Sequence, residues 1–209
     1  MASGSRTEDG FEVNMGVNHF GHFLLTNLLL ELLKASAPSR IVVVASAIHK
    51  YGTIDKENLN AEKFFPGSWK GYGNSKLANI LFANELSRKL EGTMVVINSC
   101  CPGPVCTDVT KNLNFFMRSE RFKSQICILK ISFFLNRTLM RPMMKIFYKT
   151  PINGAQTQIM LAVEPECSEV TGKYFTNCKE TEPSEKTKDI DLAKWIFDRS
   201  SELVGLSVA

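Results

Sequence analysis

The chain has 209 residues, of which 44% are hydrophobic and 22% charged, with a formal net charge of +4. That length and balance fit one domain with a sizeable core, 1–209, and exclude a disordered or fibrous chain. So small a positive charge does not by itself imply a nucleic-acid partner.

Six cysteines are present, two of them adjacent at Cys100 and Cys101. None forms a C-x-x-C pair, no His/Cys cluster has zinc-ligand spacing, and no metal is expected. Free thiols facing the cytosol are the expectation. Asn136-Arg137-Thr138 matches a glycosylation sequon, but no signal peptide accompanies it and the first ten residues show no anchor.

In chain order, a helix is predicted from Thr7 or Asp9 to about Ala35. Val13, Val17, Phe20, Leu24, Leu28 and Leu32 form its apolar stripe. Gly16 and Gly21 inside it suggest close packing. Ile41–Ser46 is a β-branched run without alternation, the pattern of a strand buried on both faces of a parallel sheet. A second helix is predicted over Tyr72–Leu90, with Gly92 just past its end, and a second buried strand over Met94–Asn98. A weaker strand falls at Lys173–Phe175. Thr150-Pro151 opens a helix through about Val163, and Ile190–Leu203 reads as a final amphipathic helix. Helices alternating with short apolar strands indicate an α/β fold, a doubly wound parallel sheet of the Rossmann type. Two firm strands are too few to complete such a sheet.

Residues 111–149 are rich in Phe, Met, Ile and Leu, and Arg121–Lys149 carries seven basic residues and no acidic one. This segment reads as a substrate lid, as a surface for an anionic membrane, or as a helical cap joining the core. Charges interrupt its apolar runs, so no spanning helix is expected.

Tyr72-Gly73-Asn74-Ser75-Lys76 places a phenol and an ammonium four residues apart, on one helix face. A nearby ammonium favours phenolate and would lower the phenol pKa toward the range a general acid/base needs. The pair alone is a weak signal in a lysine-rich chain, and an exposed Tyr beside a solvated Lys fits equally. Ser46 ends a strand, where open α/β sheets place their sites. It reads either as a turn serine or as a hydroxyl that polarises a substrate carbonyl. Asn18 lies mid-helix on an apolar face. It reads either as a structural hydrogen-bonding group or as the holder of a water in a proton relay.

Jointly these residues identify a family. Val17-Asn18-His19-Phe20-Gly21-His22-Phe23-Leu24-Leu25-Thr26 closely resembles the fourth-helix signature of short-chain dehydrogenases/reductases in their retinol-dehydrogenase-like branch. Ser46, Tyr72 and Lys76 match that family's Ser and Tyr-x-x-x-Lys, and Cys101-Pro102-Gly103-Pro104-Val105-Cys106-Thr107 is similar to its nicotinamide loop. The long Ser46–Tyr72 interval with Asn58-Leu59-Asn60, the Gly154-Ala155-Gln156-Thr157 stretch and the ending Leu203-Val204-Gly205-Leu206 resemble the same branch.

The resemblance implies an oxidoreductase interconverting an alcohol and an aldehyde or ketone with NAD(P)(H), NADP favoured, on a retinoid-like or other lipophilic substrate. Tyr72 would be the acid/base, Ser46 would polarise the carbonyl, and Asn18 would hold the relay water. Lys76 would lower the phenol pKa and bind the nicotinamide ribose. Pro102, Gly103, Val105 and Thr107 would line the nicotinamide. A homodimer and a place at the cytoplasmic face of the endoplasmic reticulum or another intracellular membrane are compatible with it. The family's Gly-rich turn, which cradles the pyrophosphate at a helix N-terminus, has no counterpart here: no G-x-G-x-x-G run occurs. The reading is therefore of a fold truncated at its N-terminal, nucleotide-binding half. The competing reading is a catalytically incompetent chain that acts by binding partners or a membrane.

Overall fold

A computed structural model describes residues 4–105 and 148–206. Thr107 and residues 111–147 of the basic apolar segment lie outside the described residues.

The first helix starts later than predicted. Glu12 caps it through a carboxylate bond to the Met15 N–H (3.0 Å), and neither Thr7 nor Asp9 serves. It runs as α1 (Val13–Met15), a π-helical turn (Gly16–Phe20), α2 (Gly21–Leu28) and α3 (Leu30–Ala35). The buried face also differs from the predicted stripe. Of the predicted stripe Phe20 is buried, but its buried companions are Met15, His19 and Phe23, whereas Val17, Leu28 and Leu32 are 58%, 66% and 63% exposed. A π-turn inserts an extra residue into the helical repeat and rotates the downstream residues about the axis, so a 3.6-residue stripe drawn through it picks the wrong side. Gly16 is needed for packing: a Cβ there would stand 2.8 Å from Thr7 Cγ2.

Four strands form one sheet in the order β1 (Ser39–Val44), β2 (Val95–Cys101), β3 (Tyr174–Thr176), β4 (Lys179–Glu180). The first three are parallel, in register Ser39 with Val95 and Ser99 with Tyr174. β2, central and wholly buried, bears out its apolar run. β1 is covered less than predicted, with Val44 exposed, because among the described residues it is an edge strand. The antiparallel β4 was not expected. It joins β3 through Asn177 and Cys178, both at positive φ (53° and 58°). That is the backbone of a tight two-residue hairpin, usually signalled by Asn-Gly.

Helix α4 (Ser68–Lys89) begins four residues before the predicted Tyr72 and packs on one face of the sheet. Phe23, Phe82, Leu86, Val95 and Ile97 meet there, with Phe197 packed against them. Helix α5 (Pro151–Val163) covers the other face, where Leu161 joins Cys100, Cys167 and Phe175. Its start is as the sequence suggests: Pro151 opens it and the Thr150 hydroxyl accepts from the Asn153 N–H at 3.2 Å. Helix α6 (Ile190–Leu203) lies against α4, capped by Asp189. Helix, sheet and helix make three layers, so the C-terminal ends of β1 and β2 open at one rim.

Candidate active site

Strand β1 delivers Ser46 to that rim. Its hydroxyl accepts from the Ile48 N–H (3.3 Å) and caps a 3-10 turn, Ala47–Tyr51. Helix α4 brings Tyr72 close enough to it for the Ser46 side chain to favour the phenolate. Two glycines allow this approach. A Cβ on Gly52, at the end of the turn, would lie 2.4 Å from the Gly73 carbonyl oxygen, and one on Gly73 would lie 3.1 Å from the Ile48 oxygen. Turn and helix thus cross backbone against backbone, next to the residues they present. Gly52→Ala is expected to destabilise the fold by about 1–3 kcal/mol in urea unfolding, the usual range for overpacking. A change within roughly 0.5 kcal/mol would show that the crossing yields freely.

Lys76 follows one turn after Tyr72. Its ammonium donates to the Val44 carbonyl (3.0 Å) and lies 5.6 Å from the centre of the Tyr72 ring. The predicted lowering of the phenol pKa is not found. Burial pushes Tyr72 above its ordinary value; the Ser46 side chain opposes this and Cys101 adds to it. Burial likewise lowers Lys76, with Cys101 and Cys100 acting the other way. Desolvation disfavours both charged forms and is the largest influence on each.

Asn18 sits in the π-turn. Its Nδ2 donates to the Ser75 hydroxyl (3.1 Å), which donates to the Tyr72 carbonyl (2.8 Å). Its own carbonyl accepts from Asn79 Nδ2 (2.9 Å), so α4 grips Asn18 at both ends. Ser75 and Asn79 were not singled out in the sequence. Their signal is a pair of polar residues on the buried side of α4, three and seven places after Tyr72.

The loop after β2 closes the rim. Cys101 Sγ accepts from the Ala47 N–H (3.2 Å) and the Gly103 N–H (3.3 Å), tying this loop to the Ser46 turn. Gly103 takes a φ of 79°, a left-handed conformation that suits glycine. Lys149 Nζ donates to the Pro102 carbonyl (3.0 Å), and Val105 pairs with Lys149 in an isolated bridge. Val105 also fills the space over Gly154 of α5, where a Cβ would come within 2.4 Å of Cγ2. Ser46, Tyr72, Lys76 and Asn18 are therefore gathered at one end of the sheet, joined to the Pro102–Val105 loop through Cys101. Among the described residues the four cysteines are all free, and no His/Cys/Asp/Glu group has a metal-binding arrangement.

A parallel α/β sheet with this serine just past a strand end and this tyrosine and lysine on the adjoining helix has the organisation of a short-chain dehydrogenase. The chain belongs to the short-chain dehydrogenase family, whose sequence profile matches residues 2–117. It is 46% identical over 202 residues to Retinol dehydrogenase 14 of Mus musculus, covering 97% of this chain and 55% of that protein. It is 40% identical over 200 residues to Retinol dehydrogenase 13 of Homo sapiens (96% and 56% covered) and 39% over 208 residues to Retinol dehydrogenase 11 of Homo sapiens (100% and 58%). The chain thus spans a little over half the length of these relatives. The crystal structure of an uncharacterized protein from Mycobacterium Paratuberculosis superposes with a TM-score of 0.67 at 25% identity, covering all of this chain and 64% of that one.

Proposed function

We propose that the site interconverts an alcohol and an aldehyde or ketone with a nicotinamide cofactor, NADP in preference to NAD, on a retinoid-like or other lipophilic substrate. The observation that carries this reading is Tyr72 set beside Ser46, with Lys76 one helical turn away and anchored on the Val44 carbonyl, at the C-terminal rim of a parallel sheet. The names of the relatives above, each a retinol dehydrogenase, support the substrate class.

The residues present suit the nicotinamide-ribose end of the cofactor. Lys76 spends one of its three donors on Val44 among the described residues, which leaves two for ribose hydroxyls. Pro102, Gly103 and Val105 would line the ring, and on sequence grounds Thr107 would join them. The nicotinamide supplies hydride in reduction and takes it in oxidation. Tyr72 gives its proton to the carbonyl oxygen in the first direction and receives it in the second. Ser46 donates a hydrogen bond to that oxygen and orients it. Asn18, with its Nδ2 and carbonyl engaged, keeps Oδ1 as the acceptor for a relay water. On sequence grounds, residues 121–149 would supply the lipophilic lid or a membrane-facing surface. No helix among the described residues is long and apolar enough to cross a membrane.

Thermal unfolding of the purified chain with NADPH and NADH tests the proposal. At a hundredfold excess over Kd, NADPH is expected to raise the midpoint by roughly 5–10 °C, since ligand that binds only the native state stabilises it. Reduction of retinaldehyde should follow. A cooperative transition that neither nucleotide moves would overturn the proposal in favour of a non-catalytic chain.

A further inference from the structure

His49 is fully buried, three residues after Ser46, and no step of the proposed reaction uses it. Its Nδ1 lies 2.7 Å from the Ser46 carbonyl oxygen, and its Nε2 accepts from the Ser184 N–H at 3.0 Å. A carbonyl only accepts and a backbone N–H only donates, so the ring has one permitted state: neutral, hydrogen on Nδ1, Nε2 bare. Burial first, then Lys50 and Lys186, favour that neutral form, against the opposing bond to Ser46. The ring also stands edge-on to Tyr174, with centroids 5.3 Å apart.

These contacts join the Ser46 turn to a segment 135 residues away. A second tie runs in parallel: Lys186 Nζ donates to the Gly52 carbonyl (2.7 Å) at the other end of the turn. The Ser46 carbonyl accepts from the His49 N–H as well (3.0 Å), so the ring and the backbone of one residue hold it together. To this tie Ser184 contributes its amide and not its hydroxyl, which is buried without a partner among the described residues.

We propose that His49 is a positioning residue, clamped as the Nδ1–H tautomer between the Ser46 carbonyl and the Ser184 amide, through which residues 182–188 hold Ser46 against Tyr72. The proposal rests on the reading of Ser46 and Tyr72 as the reacting pair.

The test is nuclear magnetic resonance of the full chain with labelled histidine and tyrosine. At neutral pH, long-range proton–nitrogen correlations should show His49 Nδ1 protonated and Nε2 bare; a protonated Nε2 overturns the clamp. Ser184→Pro removes the amide hydrogen at a residue whose φ is already −67°. It should abolish the pure tautomer and move the Tyr72 Cζ resonance, which reports the surroundings of the phenol hydroxyl beside Ser46. Ser184→Ala should leave both in place. His49→Asn keeps a donor for Ser46 and should retain the Tyr72 resonance that His49→Phe shifts. A Tyr72 resonance unmoved by both Ser184→Pro and His49→Phe would also overturn it. Should those variants not fold, the tautomer in the unaltered chain still decides. None of these signals needs turnover, so absent activity would count against the dehydrogenase reading and not against the clamp.

Discussion

Replacing Tyr72 by Phe is expected to lower turnover of a lipophilic aldehyde by about 10²- to 10⁴-fold, the usual contribution of a positioned general acid. The ring stays, and with it the packing against Lys76, whose ammonium lies 5.6 Å from its centre. Stabilisation by NADPH should survive, which separates a chemical defect from a binding one. Direction matters too. Because burial raises the phenol pKa, Tyr72 is a protonated donor throughout the neutral range. Reduction should therefore be insensitive to pH there, while alcohol oxidation, which needs a proton acceptor, should climb as pH rises. Steady-state kcat in both directions across pH 6–9 checks this; Tyr72→Phe turnover within about tenfold of the parent would remove Tyr72 from the chemistry.

The features legible in the sequence were those whose physics is local. Thr150-Pro151 is a cap and a first-turn proline, the β-branched runs are strands, and the 3.6-residue pattern of Ile190–Leu203 matches its helix end to end. The proposed reacting groups were singled out as well, although the Tyr72/Lys76 pair alone is a weak signal and only the family resemblance joined it to Ser46 and Asn18. Their supports were not. Ser75 and Asn79 matter through Asn18, 57 and 61 residues earlier, and His49 through Ser184; no local window contains either pairing. Gly52 and Gly73 are required by a crossing of two backbones that exists only once the chain has folded. The π-turn misled the helix reading for a related reason. Gly16–Phe20 departs from the 3.6-residue repeat to place Asn18, and a periodic pattern carries no mark of that departure.

Acidification from pH 7 to 5 is expected to cost roughly 2 kcal/mol of stability through His19 alone. Its imidazole is fully buried, with Nδ1 3.1 Å from Asn79 Oδ1 and Nε2 2.8 Å from Ser200 Oγ. Asn79 Nδ2 already donates to the Asn18 carbonyl, so Asn79 Oδ1 must accept, and His19 carries its hydrogen on Nδ1 and accepts from Ser200. Protonation would place a second N–H against the serine hydroxyl in a site without water-like solvation. Burial accordingly lowers the pKa from 6.5 to about 4; the Asn79 bond opposes this and His22 reinforces it. The unfolded chain therefore binds the proton first. Stability is full above pH 6.5, falls as pH drops below it, and levels off below about 4, having lost about 3 kcal/mol. His49, shifted in the same direction, adds to the slope. Urea unfolding of the parent and of His19→Gln isolates the contribution: the variant starts lower but should lose less between pH 7 and 5. Equal losses in the two proteins would mean that His19 titrates alike folded and unfolded. The coupling matters for the proposed site because the same Asn79 amide holds Asn18, so a charge on His19 disturbs Asn18 as well as the core.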